Sequence, residues 1–146
     1  CARNVRSAVY IAQSCGVTAE EIARLRDLCA GLDLDPGPGG SHMSASNRTV
    51  ATFQPVLQHI FPGRWAYATG VALYPSSQLV AHRDSPIRGN RYHLPLTLKY
   101  GCWVFHQDTW QQLQEGQVYQ MDPTLLHGAV NWGTSRRLHL IVDMET

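Results

Sequence analysis

From residue 64 onward the apolar residues of this chain recur with a period close to two, and that period narrows the folds open to it more than any other feature. In RWAYATGVALYP, residues 64–75, Tyr67, Thr69, Val71 and Leu73 share one face, because successive side chains of a strand point to opposite sides. QLVAH (78–82), RYHLPLTLKY (91–100), CWVFHQ (102–107), QVYQM (117–121) and RRLHLIVDM (136–144) read as further strands. Pro62, Pro75, Pro86 and Pro123 punctuate them. Many short strands divided by Gly, Pro, Asn and Asp turns predict a mainly β jelly roll or small barrel rather than βαβ units. Pro95 lies inside a predicted strand and marks an edge or a bulge.

The first thirty residues have a different period. Val5, Ala8, Val9 and Ala12 fall at helical spacing. Thr18 to Glu21, TAEE, is a capping box: the Thr18 hydroxyl accepts from the Glu21 N–H, and the Glu21 carboxylate reaches back to the Thr18 N–H. Behind it Ile22, Leu25 and Leu28 or Cys29 form one apolar stripe, and Gly31 is a stop. Two short helices parted around Ser14–Val17 are expected, neither stable alone in water.

The stretch LDLDPGPGGSHMSASN then breaks the pattern, and residues 40–48 read as a linker. Gly40-Ser41-His42-Met43 looks like a cloning scar, with Met43 a native start. On that reading residues 1–39 are a helical segment fused in front of a unit spanning 49–146. It is either a partner or a substrate-like element, tethered to raise its effective concentration and offering Asp27, Asp33 and Asp35 as reactive residues. The alternative is a native helical layer over one face of the barrel.

A chain of 146 residues suits one principal domain. Twelve basic against eleven acidic residues, a net charge of +1, give no electrostatic reason to expect a nucleic acid or an anionic membrane as partner. No run approaches the roughly 18 apolar residues of a membrane span, and no secretory signal is visible, so a cytoplasmic location is expected. Cys1, Cys15, Cys29 and Cys102 form no CxxC knuckle. They read as free thiols in a reducing compartment, with a disulfide in the first forty residues as the alternative.

Chemistry concentrates in two places. In HRDSPIRGNRYH, residues 82–93, His82 and Asp84 are two apart in an extended segment and therefore point to the same side. His127, at the turn PTLLHG, is the best third donor. Two histidines and one carboxylate on one face of an octahedron leave the opposite face open, which suits non-haem Fe(II) with a chelating co-substrate and O₂. A solvated or hydrogen-bonded His and Asp at a strand end would leave the same trace. Arg91 and His93 share one strand face, and Tyr92, Leu94, Leu96 and Leu98 share the other and should pack in the core. Trp132 and Asn131 lie in the connection that follows His127, where they could reach the mouth of a site or orient a ligand.

These segments, HRD, then RYHLPL, then MDPTLLHGAVNWGTSRRLHLIVD, are similar to the motif of the aspartyl/asparaginyl β-hydroxylase family of iron(II)- and 2-oxoglutarate-dependent oxygenases. The resemblance spans most of residues 64–143 and is specific when the segments are taken together. It implies a small double-stranded β-helix, a cupin-like jelly roll preceded here by two short helices. It also implies a dioxygenase with Fe(II), 2-oxoglutarate and O₂, whose His82 and His127 hold the iron. By the same resemblance Arg137 pairs with the distal carboxylate of 2-oxoglutarate, and Arg91 and His93 line the co-substrate and substrate side. A guanidinium suits that role because a planar carboxylate answers it with two parallel hydrogen bonds.

One departure matters. Animal members of the family have glycine two places after the first histidine, where this chain has Asp84. Asp84 either completes a facial triad or accepts a hydrogen bond beside a two-histidine iron. Direct ligation is the expectation, since a carboxylate there is costly unless a metal or a donor satisfies it. The resemblance implies hydroxylation of an aspartyl or asparaginyl β-carbon, in a short peptide or natural-product precursor. The alternatives are a free amino acid or proline-type substrate, or a metal-binding cupin with Zn²⁺ or Mn²⁺ and no oxygenase activity.

Overall fold

A computed structural model describes residues 11–13, 17–44 and 49–145. Two antiparallel sheets carry the fold. Strands β1 (Ile11–Gln13), β2 (His42–Ser44), β3 (Trp65–Leu73), β5 (Asn90–Thr97), β8 (Val118–Met121) and β10 (Arg137–Met144) form the larger, in the order β1-β8-β5-β10-β3-β2. Strands β4 (Ser77–His82), β6 (Cys102–His106), β7 (Thr109–Gln111) and β9 (His127–Asn131) form the smaller, in the order β4-β9-β6-β7. Two helices, α1 (Ala19–Ala30) and α2 (Thr49–Leu57), complete the set. This is the double-stranded β-helix of the cupin class, with two short helices ahead of its main strands.

Parity explains how one sheet serves two environments. On the outer face of the larger sheet Ala68, Ala72, Tyr92, Leu94, Leu96, Val118, Leu138, Leu140 and Val142 are all buried. They pack with Ile22, Leu25 and Cys29 of α1 and Phe53, Val56 and Leu57 of α2. Gly70 permits that approach, since a Cβ there would stand 3.2 Å from the Cys29 sulfur. On the inner face Leu73, Tyr119 and Met121 meet Val104 and Ala129 of the smaller sheet, with Leu79 and Leu98 against them. Leu98 thus leaves the company of Tyr92, Leu94 and Leu96. The β10–β5 register shifts between Leu138, opposite Thr97, and His139, opposite Pro95, and that bulge reverses parity beyond it. Pro95 is tolerated there although β5 is an interior strand, because its pairing with β8 already ends at His93.

Helix α1 begins with the predicted capping box, with Glu21 N donating to Thr18 Oγ1 at 3.1 Å and Thr18 N donating to Glu21 Oε1 at 3.0 Å. The expected earlier helix is not seen where the chain is described: Ile11–Gln13 is a strand paired with β8, and residues 1–10 and 14–16 lie outside the described residues. The second helix is instead α2, where Pro55 argues against helix by propensity. Tertiary burial of Phe53 and Leu57 outweighs it. Within the stretch read as a linker, β2 pairs with the edge of β3. Cys29 and Cys102 are buried free thiols, and burial pushes the Cys29 thiol up to about 12; Cys1 and Cys15 lie outside the described residues.

Leu25 is fully buried between α1 and the sheet. Leu25→Ala should lower the unfolding free energy by about 2–5 kcal/mol, read as a lower urea midpoint with unchanged slope.

Candidate metal centre

A bulge brings the site together. Leu79 of β4 lies opposite Ala129 of β9, yet His82 lies opposite His127, so three steps on β4 match two on β9. Gly128 sits beneath this kink. A Cβ on it would stand 2.7 Å from the Leu79 carbonyl oxygen and 3.1 Å from the Ala81 nitrogen. The missing side chain lets β4 close on β9 and sets the two histidines side by side, with ring centroids 4.4 Å apart. Asp84 follows on the chain leaving β4, where its N–H donates to the Pro123 carbonyl at 2.9 Å.

The hydrogen bonds assign the tautomers. His82 Nδ1 lies 2.7 Å from the Val80 carbonyl and His127 Nδ1 lies 2.8 Å from the Leu125 carbonyl. A carbonyl only accepts, so each Nδ1 carries a proton, and in the neutral ring Nε2 is then the nitrogen with the lone pair. Those Nε2 atoms face Asp84, His82 at 3.4 Å from Oδ1 and His127 at 3.5 Å from Oδ2. The donor atoms of all three residues lie within 4.8 Å of one another, a spacing one cation can bridge. Burial lowers the His127 pKa and so favours the neutral, ligating form. The Nδ1–carbonyl bonds are the outer contacts that orient metal-bound imidazoles. This donor set, two imidazole nitrogens and one carboxylate, supports Fe(II).

Around it lies a cavity of about 310 Å³ whose wall includes Tyr67, Thr69, Arg91, His93, Arg137 and His42. The structure therefore gathers all six residues singled out in the sequence, His82, Asp84, His127, Arg91, His93 and Arg137, around one space. Arg137 and His93 are buried on the inner face of the larger sheet. Arg91 is engaged already: its Nε and Nη2 donate to Asp143 Oδ1 and Oδ2 at 2.8 and 2.9 Å, and its Nη1 donates to Asp84 Oδ2 at 2.8 Å. Asp143 and Asp84 already answer the Arg91 charge, so it is the part of the wall at Arg137 that suits an anionic guest.

Two expectations fail. Asn131 orients no ligand: fully buried, it donates to the Leu73 and Ser135 carbonyls and accepts from Gly133 N, so its side chain is spent on the turn into β10. Trp132 is largely exposed, with its N–H bonded to the Gly101 carbonyl, and is not on the cavity wall. Three contributors were missed. Strand parity places Asp143 on the Arg137 face, but its pairing with Arg91 depends on which strands are neighbours. Gly128 carries no local signal. His42, on the wall near Arg137 and His82, fell in the stretch read as foreign.

An open double-stranded β-helix holding a His–Asp–His cluster defines the class, an Fe(II)/2-oxoglutarate-dependent dioxygenase scaffold. The chain belongs to the aspartyl/asparaginyl β-hydroxylase family, whose model matches residues 39–146. The structure is similar to a viral collagen prolyl hydroxylase from Paramecium bursaria Chlorella virus-1, solved with 2-oxoglutarate, at 11% identity and TM-score 0.63 over 92% of this chain and 94% of that one. It is similar also to an oxidoreductase of the 2-oxoglutarate–Fe(II) oxygenase family from Burkholderia pseudomallei (15% identity, TM-score 0.61, 86% and 77%). A third is the non-haem α-ketoglutarate-dependent epimerase SnoN from nogalamycin biosynthesis (14%, 0.64, 91% and 76%). At these identities the likeness is one of fold. No curated protein matches the chain in sequence. No helix among the described residues is long and apolar enough to cross a membrane.

Two measurements check the site. Gly128→Ala should push β4 away from β9 and weaken divalent-metal binding while the fold persists, read by metal titration alongside circular dichroism. Burial first, then neighbouring arginine charge, holds His93 and His139 well below the ordinary imidazole pKa of 6.5. The unfolded chain therefore binds more protons below that pH. Stability is full above about pH 6.5 and falls below it by ~1.4 kcal/mol per pH unit per histidine. Urea titrations of the metal-free protein from pH 7.5 to 5 should show this, and His139→Gln should make the slope shallower.

Proposed function

We propose that the protein hydroxylates the β-carbon of an aspartyl or asparaginyl residue in a short peptide, with His82, Asp84 and His127 holding Fe(II) and with 2-oxoglutarate and O₂ as co-substrates. The convergence of two carbonyl-locked imidazoles on one carboxylate carries the metal in this reading, and membership of the family supports the substrate class. When bound, iron and 2-oxoglutarate would supply the oxidising power, the co-substrate losing CO₂ and taking one oxygen atom of O₂ to become succinate while the other atom goes into the C–H bond.

The protein's own groups bind and orient. Arg137 offers a buried planar fork to the distal carboxylate of 2-oxoglutarate, and burial strengthens the attraction between the two charges. His93, kept neutral by burial and by the charges of Arg91 and Arg137, can donate one hydrogen bond without adding a further positive charge beside the metal. Thr69 and Tyr67 add polar groups to the same wall. Residual space in a cavity of about 310 Å³ suits a small residue on an extended peptide better than a folded surface.

The segment before residue 40 we read as a native helical layer rather than a tethered substrate. Ile22 and Leu25 are buried in the main core, Leu28 packs against it, and the Tyr74 hydroxyl donates to the Leu34 carbonyl. Asp27, Asp33 and Asp35 are exposed, and none is on the cavity wall.

Anaerobic addition of Fe(II) and 2-oxoglutarate should produce a weak visible charge-transfer band only when both are present. A metal-binding cupin without oxygenase activity gives none. His127→Ala should abolish iron retention. Arg137→Ala should leave metal content alone and raise the 2-oxoglutarate dissociation constant at least tenfold, about the 1.4 kcal/mol or more of one charge-assisted pair. Lys at 137 should rescue only part of this, because it lacks the fork. Unchanged 2-oxoglutarate binding in Arg137→Ala ends that assignment.

A further inference from the structure

We propose that Arg91 is a positioning residue: clamped by Asp143, it fixes Asp84 in the orientation that presents it to the metal. This rests on the reading that a metal sits among His82, Asp84 and His127.

Arg91 and Asp143 lie directly opposite each other on paired interior strands, β5 and β10. Their side chains meet fork to fork, at 2.8 and 2.9 Å, and Asp143 is 5% exposed. Such a pair has one geometry and little freedom. The remaining terminal nitrogen, Nη1, reaches 2.8 Å to Asp84 Oδ2. Burial alone would lower the Arg91 pKa, but Asp143 and then Asp84 reverse that and keep the guanidinium charged.

Asp84 needs such a fixture. His82 and His127 are strand residues whose rings are locked by carbonyls two residues away, whereas Asp84 lies past the end of β4 in irregular chain. A carboxylate there has rotamers to lose on binding a cation, and ordering it beforehand removes that cost. The donated bond also divides the labour of the carboxylate. Oδ2 accepts from Arg91 and lies 3.5 Å from His127 Nε2, and Oδ1 is turned to His82. Asp143 is not on the cavity wall, so it acts on the site through Arg91.

A role for Arg91 in holding a co-substrate or substrate carboxylate makes a different forecast. In that case the Asp143–Arg91 pair matters for the organic ligand and not for the metal. The experiment is a titration of the metal-free full chain with Co(II), without 2-oxoglutarate, following the visible d–d bands. Asp143→Asn should raise the Co(II) dissociation constant ~10-fold or more, as loss of an outer partner of a ligand does. Arg91→Lys should fall between it and the unmodified chain, since a lysine keeps the charge and loses the fork. Unaltered Co(II) affinity and band shape in folded Asp143→Asn overturns the proposal, whatever happens to 2-oxoglutarate binding. Should Asp143→Asn fail to fold, Arg91→Met/Asp143→Leu removes both charges at similar volume. Weakened Co(II) binding in that variant supports the clamp, and Co(II) binding like that of the unmodified chain overturns it. His127→Ala separates the underlying reading: if it binds Co(II) as well as the unmodified chain, or if the latter binds none, the metal centre itself is misassigned and the clamp falls with it.

Discussion

Strand β10 faces two media at once, and the rest of the molecule depends on how it does so. It runs between β3 and β5, so its backbone ladder is satisfied on both edges. Leu138, Leu140 and Val142 enter the apolar layer beneath the helices, while Arg137, His139 and Asp143 enter the space between the sheets. A slip of one residue would exchange these sets, putting two charges and an imidazole under α1 and α2 and three aliphatic side chains into the cavity. The register is therefore specified from both faces. Helices that never touch the cavity still fix it, because the leucines they cover set the parity of the strand that carries Arg137.

Burying that many polar groups requires partners or neutrality, and the structure uses both. The Arg91–Asp143 pair is a part-buried ion pair with its carboxylate engaged at both oxygens by the fork. Such a pair contributes little net stability against an apolar replacement, and its value lies in geometry. His93 and His139 take the other course and remain uncharged, packed edge to face with ring centroids 5.8 Å apart. The cost is acid sensitivity, since the native interior cannot accept the protons that the unfolded chain takes up.

How much of this the sequence discloses follows from the range of each signal. Period two and the turn residues disclosed six strands, because alternation is local. The capping box disclosed the start of α1 for the same reason. The motif segments brought His82, Asp84, His127 and Arg137 into one hypothesis, although they lie up to 55 residues apart in chain. Short strands such as β2 and β7 left no periodic trace, since three residues cannot show one. Helix α2 was hidden by Pro55 and is held by burial of Phe53 and Leu57. The partnership of Arg91 with Asp143 was invisible because it depends on adjacency of strands 52 residues apart. Asn131 misled for a related reason: a polar residue near a ligand in sequence is as apt to tie a turn as to face a site.

The two sheets contribute unlike things to the centre, and the difference follows from their edges. The smaller sheet supplies both histidines through a bulge at its rim, where an extra residue on β4 and the bare Cα of Gly128 reset which side chains meet. A rim can be adjusted this way without disturbing a core. The larger sheet supplies the two arginines of the wall from its interior strands, whose positions are fixed by ladders on two sides and by packing beneath. Asp84 belongs to neither. It leaves β4 toward the larger sheet, and the guanidinium it meets there is anchored to β10. The carboxylate thus spans the two sheets, and the relative placement of nitrogen and oxygen donors records the docking of one sheet on the other. Chemistry that requires all three donors at once is then possible only in the assembled fold, which is why the cavity and the metal-binding geometry coincide.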